Sequence, residues 1–169
     1  MSAVVEKTEW IIFDIDGTLA NIQHRLHHIK YSAFLETLPV GSAIPSEDEF
    51  KKNWDKFNSL MHMDFPKQSI IKLNAAMFNA GYNIAVVTGR FEKYRKITQD
   101  WLLESGVALD KLFMRKDGDY RSDWQVKQDI LLDDFIGKPI LFVVDDREQV
   151  VDMWRKNGIT CLQCQKGDY

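Results

Sequence analysis

Five short runs rich in β-branched and aromatic residues recur along the chain: Trp10–Ile15, Asn83–Val87, Lys111–Met114, Ile140–Val144 and Ile159–Leu162. Between and after them lie Pro66–Ala80, Glu92–Ser105, Trp124–Phe135 and Arg147–Lys156, whose apolar residues fall at three- and four-residue spacing. The first period belongs to strands and the second to amphipathic helices. Their alternation predicts an α/β fold, a largely parallel central sheet flanked by helices. Asn79-Ala80-Gly81 and Asn157-Gly158 read as helix C-terminal stops. In such sheets a ligand sits at the carboxyl ends of the strands, where strand order switches.

One segment breaks the alternation. Between the first strand and Pro66, a long stretch carries two helical patterns around a turn containing proline and glycine. A connection of that length in a compact domain is usually functional. The expected organisation is a core of residues 1–20 and 66–169 with a helical cap insertion at 21–65.

The 169 residues, 45% hydrophobic and 12% aromatic, suit one domain of ordinary size. No apolar run approaches the roughly 20 residues of a membrane span, so no membrane partner is expected. The opening MSAVVEKTEW lacks the basic-then-apolar order of a signal peptide, which predicts a cytoplasmic location. A net charge of −3 argues against an extended footprint on duplex DNA, yet leaves room for a grip on one phosphate or strand end. Cys161 and Cys164 have no second ligand pair for zinc and lie inside an apolar run, so two reduced thiols are expected.

The polar residues gather at the strand ends. The first strand runs into Asp14-Ile15-Asp16-Gly17-Thr18, the second into Thr88-Gly89-Arg90, and the fourth into Asp145-Asp146-Arg147. Lys127 follows early in a predicted helix. Strand alternation would put Asp14 and Asp16 on one side, where like charges repel. Carboxylates from two strand ends make a hard oxygen site suited to Mg²⁺, which neutralises a phosphate for attack by an anion. A threonine hydroxyl and a lysine ammonium can hold its oxygens, and Gly17 and Gly89 let backbone amides approach. Taken singly, each element has a plainer reading as a turn, a cap or a surface residue. Together and in order, they point to phosphoryl chemistry.

DIDGT, VVTGR, the later lysine and VVDDRE resemble, in order, the four motifs of the haloacid dehalogenase (HAD) superfamily of phosphotransferases. The resemblance implies a Rossmann-like core, Mg²⁺ dependence and an aspartyl-phosphate intermediate. It implies Asp14 as nucleophile, Asp16 as general acid/base, and Thr88 and Lys127 as phosphoryl ligands. It also implies Asp14, the backbone carbonyl of Asp16, and Asp145 as metal ligands, with Asp146 beside them. The acid role would suit a carboxyl of raised pKa, which a neighbouring carboxylate can supply.

IIFDIDGTLA, GYNIAVVTGR, RKDGDYRSDWQVKQDIL, VVDDREQVVDMWRKNGITCLQC and the terminal KGDY resemble, more closely, the phosphatase domain of phage-type polynucleotide kinase-phosphatases. That implies removal of 3′-phosphates from polynucleotide ends or nucleotides, in the host cytoplasm if phage-encoded. On the same resemblance Arg25, Arg90 and Asp123 are functional, beside Gly17, Thr18 and Gly89. No GxxxxGK[ST] loop occurs, so a phosphatase without a kinase half is expected. The segment after Arg25 does not match. A 5′-nucleotidase acting on nucleoside monophosphates therefore stays open, as does a non-catalytic module binding nucleotides or nucleic-acid ends. Oligomeric state has no signature.

Arg115 and Arg121 also flank the motif loops, as does Lys116, which is set aside as surface. Tyr31, Phe34, Trp54 and Phe57 can stack on a base, but their spacing suits the cap's own small core better. His24, His27 and His28 share a helical face without a matching carboxylate or cysteine. A base contact by His24 is favoured over a metal.

Overall fold

The computed structural model describes residues 9–167. Among them five strands form one wholly parallel sheet: β1 (Trp10–Phe13), β4 (Asn83–Phe91), β5 (Lys111–Arg115), β6 (Ile140–Arg147) and β7 (Cys161–Gly167). Their order is β5-β4-β1-β6-β7. The chain leaves central β1 for one side, then crosses back over it to build the other. The carboxyl ends of β1, β4 and β6 therefore meet where strand order switches.

β1 is an unbroken apolar run because it is buried on both faces. Ile11 and Phe13 point into a cluster with Ile71, Trp101 and Leu102 from α4 (Gln68–Asn79) and α5 (Arg95–Glu104). Trp10 and Ile12 point into the other, with Leu131 of α6 (Asp123–Asp134) and Val150, Val151 and Trp154 of α7 (Glu148–Lys156). The two-residue period thus fastens one strand to both helical layers. Gly81 and Gly158 end α4 and α7 with φ of 92° and 77°, the left-handed conformation that glycine adopts without a Cβ penalty. Among the described residues no helix is long and apolar enough to cross a membrane. The first eight residues lie outside the described residues, as do the last two, which end the KGDY run.

The strands run further than expected. β4 continues through Thr88, Gly89 and Arg90, with a register shift against β5, and β6 continues through Asp145 and Asp146. These two motifs are pleated into the sheet edge, whereas the one after β1 lies in the turn beyond its strand. α4 starts later than expected because Pro66 belongs to a short strand.

The stretch after β1 differs most from its predicted form. Its two helical patterns are broken into short pieces: α1 (Gln23–Leu26), α2 (Tyr31–Leu35) and α3 (Trp54–Ser59), with 3₁₀ turns at Glu47–Glu49 and Met61–Met63. β2 (Ala20–Asn21) and β3 (Phe65–Pro66) pair antiparallel and close its base. Nor does it keep a core of its own. Ile22, Leu26, Ile29 and Phe57 join the cluster of Ile11 and Phe13. Of the four aromatics assigned to an internal core, Tyr31 and Phe34 pack on Phe50, Phe57 enters the main core, and Trp54 stays exposed.

Candidate active site

Asp14 and Asp16 do not share one face of an extended strand. β1 stops at Phe13, and the chain turns at Gly17, whose φ is 89°. Each aspartate meets its own cations. Asp14 Oδ1 accepts from Lys127 Nζ at 2.7 Å, and the same ammonium donates to Asp145 Oδ2 at 2.9 Å and lies 3.4 Å from Asp123 Oδ2. Lys127 sits on α6 and is 1% exposed. Burial works against its charge, but Asp123, Asp14 and Asp145 prevail and hold its pKa well above the ordinary lysine value.

Asp16 is gripped by two arginines. Its Oδ1 accepts from Arg25 Nη2 at 2.5 Å and Arg90 Nη2 at 2.6 Å, and its Oδ2 accepts from Arg90 Nε at 3.0 Å. Behind them lies Asp64, the last residue before β3. It accepts from Arg25 Nε at 2.6 Å and Nη2 at 2.7 Å, from Arg90 Nη2 at 2.8 Å, and from His24 at 3.0 Å. Trp101 Nε1 donates to its carbonyl at 2.8 Å. Two carboxylates and two guanidiniums thus form a buried, charge-balanced quartet. The guanidinium of Arg25 also lies 4.0 Å above the Phe57 ring.

This quartet corrects the expected electrostatics of Asp16. Burial alone would raise its pKa, but Arg90 and Arg25 outweigh it and hold the carboxyl well below the usual range. Asp14 moves the other way: burial raises it, Lys127 opposes, and Asp145 and Asp146 add to the rise. Asp146 is pushed up to about 7 by burial and by Asp145.

Three buried carboxylate oxygens, Oδ2 of Asp14 and both of Asp146, have no hydrogen-bond partner among the described residues. Asp14, Asp145 and Asp146 also offer oxygens within 4.8 Å of one another. An all-oxygen set with bare anionic atoms fits a hard divalent cation such as Mg²⁺. The Asp16 carboxylate is turned toward its arginines and stands outside the group, so only its main-chain carbonyl remains for the expected metal role.

A cleft of about 730 Å³ opens beside these groups and reaches Asp14 and Asp16. Asp14, Asp16, Gly89, Arg90 and Asp123 line it, together with Trp54 and Phe57 of α3. Thr88, Lys127, Asp145 and Asp146 lie buried behind that lining, and Arg25, Gly17 and Thr18 are off it as well. Arg25 is wholly buried behind Asp16, and Thr18 is buried against Cys164 at 3.7 Å. Thr88 is buried at the sheet edge, its Oγ1 accepting from the Arg90 backbone N–H at 3.2 Å. Arg90 keeps one bare donor, Nη1, among the described residues. Gly89 is required by close approach, since a Cβ there would collide with Oδ1 of Asp123. Gly167 packs on Asp146 in the same way.

Other sequence candidates resolve differently. Arg115 spends its donors on Gly89, Asp119, Arg121 and Asp123, so it pins a loop. Arg121 pairs with Asp119 and Asp129, and Lys116 is exposed. His27 and His28 stack on each other while His24 meets Asp64, so the three do not converge. Both cysteines are free thiols, and burial pushes Cys161 up to about 12. Asp64 and Gly167 were not foreseen. Each is a single residue in an unremarkable context, and only the fold brings it to the site.

Comparisons with known proteins bear on the same residues. A family model described as the polynucleotide kinase PNKP phosphatase domain matches residues 49–169, which carry Thr88, Lys127 and Asp145. A chain of the Pnkp1/Rnl/Hen1 complex is 27% identical with a TM-score of 0.73, covering 98% of this chain and 48% of its own length. A second structure, of the Pnkp1/Rnl/Hen1 RNA repair complex, is 26% identical at TM-score 0.71, covering 100% of this chain and 48% of its own. This chain thus spans about half the length of these two. A haloacid dehalogenase-like hydrolase from Streptococcus pneumoniae, 18% identical, shares the fold at TM-score 0.59, over 92% of this chain and 83% of its own.

Two outcomes follow from the charges. Asp64→Ala leaves two buried guanidiniums, Arg25 and Arg90, with Asp16 as their one remaining shared carboxylate. It should cost about 3–5 kcal/mol of stability, read as a melting temperature lower by roughly 10 °C. Asp146, with a folded pKa above its unfolded value, contributes stability that is full below about pH 4 and lost as pH rises toward 7. In chelator, the melting temperature should therefore fall from pH 5 to 8 relative to Asp146→Asn. That comparison also removes the opposite trend of His28, whose pKa is lowered by burial and by His27. Mg²⁺ added at the upper pH should stabilise the native chain more than the variant.

Proposed function

The chain belongs to the polynucleotide kinase PNKP phosphatase-domain family of haloacid dehalogenase phosphatases, and from that premise we propose a Mg²⁺-dependent 3′-phosphomonoesterase that works through an aspartyl phosphate on Asp14. Its substrates on this reading are 3′-phosphorylated polynucleotide ends or nucleotides, in the cytoplasm. The observation that carries the proposal is Asp14 itself. One of its oxygens accepts from Lys127, the other is buried without a partner among the described residues, and the residue itself lines the cleft. A buried carboxylate oxygen left bare suits a metal ligand or an attacking nucleophile better than a structural role.

Mg²⁺ held by Asp14, Asp145, Asp146 and the Asp16 carbonyl would supply neutralisation of the phosphate charge during attack. Thr88 and Lys127 would hold the non-bridging oxygens. Lys127 also ties nucleophile and Asp145 into one geometry, with Asp123 and Gly89 behind it. Arg90 Nη1, a buried donor without a partner among the described residues, suits an anionic oxygen of the substrate. Arg25, shut away from the cleft, would act by positioning Asp16.

At rest Asp16 is a carboxylate, the ionisation state that a base against the acyl phosphate needs, while the arginine grip that keeps it ionised also weakens it as a base. Its acid role needs a proton. A phosphate dianion that engages Arg90 would weaken the hold of that guanidinium on Asp16 and raise its pKa as the leaving oxygen arrives. Substrate binding and proton uptake would then be linked. We further take residues 1–20 and 66–169 as the catalytic core and 21–65 as the cap, whose Trp54, Phe57 and Asn58 line the cleft beside the leaving group.

Phosphate release from a panel of 3′- and 5′-nucleotides and a 3′-phosphorylated oligonucleotide checks the reading. The 3′-esters should be preferred, with activity abolished by chelator and by Asp14→Asn. Asp16→Asn should cost about 10²–10⁴-fold with nucleoside esters and far less with an aryl phosphate, whose leaving group needs no proton. Equal or better turnover of the 5′-esters would remove the 3′ assignment. No hydrolysis by folded native protein would favour a binding module.

A further inference from the structure

Above the phosphate site, the cleft is walled by rings that the proposed chemistry does not use. On the core side Tyr120 is 86% exposed, with its ring 5.6 Å from Phe91 at 63°. On the insertion side Trp54 is 48% exposed, edge-on to Phe57 at 5.7 Å. All four line the same cleft as Asp14 and Asp16. Large rings left in water inside a functional cleft are unusual for a structural purpose, since hydrophobic burial would draw them inward.

The backbone that carries these rings is held in place. The loop bearing Tyr120 is fastened from beneath by Arg115, whose Nη1 donates to the carbonyls of Asp119 at 3.0 Å and Arg121 at 2.6 Å. Its Nε donates to the Gly89 carbonyl at 2.8 Å, which ties the loop to the motif that flanks the phosphate site. The backbone N–H of Lys93 donates to Asp117 at 2.9 Å, holding the loop to the end of β4. On the other side Asn53 caps α3 through the Lys56 N–H at 2.9 Å. An aromatic surface fixed before a ligand arrives loses little entropy on binding.

We propose that Tyr120 and Trp54 form a stacking site for the base of the nucleotide whose phosphate is removed. This rests on the nucleotide-phosphatase reading above and names what its leaving group must carry. Stacking on a π-face tolerates any base, so the site recognises that a base is present and leaves its identity unread. Lys52 and Lys93 share this lining with Asp55 and Asp117, and Arg121 is already paired with Asp119 and Asp129, so the rings rather than the rim charges carry the recognition. The insertion then contributes half of the base site, and Phe57 links its ring to the Arg25 guanidinium behind Asp16.

The test compares kcat/KM for thymidine 3′-monophosphate with that for its abasic tetrahydrofuran analogue bearing the same 3′-phosphate. The native protein should favour the base-bearing ester by roughly 5- to 150-fold, the worth of one stacked base. Tyr120→Ala or Trp54→Ala should pull that ratio toward one, while Tyr120→Phe should keep it. Because Tyr120 is so exposed, its variants should fold normally, and a melting curve checks that they do. A native ratio near one, or a ratio unchanged in both alanine variants, overturns the stacking site. Thymidine 5′-monophosphate runs alongside. If it matches the 3′-ester, the positional reading fails while the ratio still judges the base site.

Discussion

The separation of two neighbouring aspartates by different cations is the interaction on which the site depends. Asp14 and Asp16 lie two residues apart at the end of a buried strand, where their charges would otherwise oppose each other. Lys127 takes one and the pair Arg25 and Arg90 takes the other. Neither arrangement is stable alone, because buried cations need anions on their far side. Asp145 and Asp123 supply them around Lys127, and Asp64 supplies one behind the arginines. The result is two carboxylates made chemically unequal by their surroundings.

That requirement accounts for much of the architecture. Lys127 must come from α6, Asp145 from β6 and Arg90 from β4, and the strand order that places β4 and β6 on either side of β1 brings them together. Arg25 and Asp64 come from opposite ends of the insertion. The short β2–β3 pairing at its base and the Trp101 bond to the Asp64 carbonyl hold those ends at the site. The insertion is therefore part of the electrostatic frame as well as a wall of the cleft. Its share in the main hydrophobic cluster makes independent movement of the whole segment costly, since Ile22, Leu26 and Phe57 would leave the core with it.

The parallel sheet was legible in the sequence because periods of two and of three to four residues dictate burial, and β1 obeys the first through Ile11 and Phe13 against Trp10 and Ile12. Asp14 and Asp145 were singled out as carboxylates at strand ends and Lys127 through the order of the motifs, and the structure brings the three side chains into contact. The insertion was less so. Several of its apolar residues serve the main core, so their helical spacing covers only short turns, with Pro39, Gly41 and Pro45 between the second and third of them. Asp64 and Tyr120 lay beyond local reasoning, since nothing near either in sequence marks a buried anion or a held, exposed ring. The low pKa of Asp16 was missed for a related reason. Sequence shows its neighbour Asp14 but hides the arginines that arrive from residues 25 and 90.

Carbon-13 NMR of aspartate-labelled protein in chelator measures the inequality directly, with Asp14→Asn and Asp16→Asn used to assign the two carboxyl signals. Asp14 should titrate above the ordinary carboxylate range, and Asp16 should remain ionised as far toward acid as the fold persists. Two signals titrating together near the ordinary value of about 4, or in the reverse order, would contradict the account.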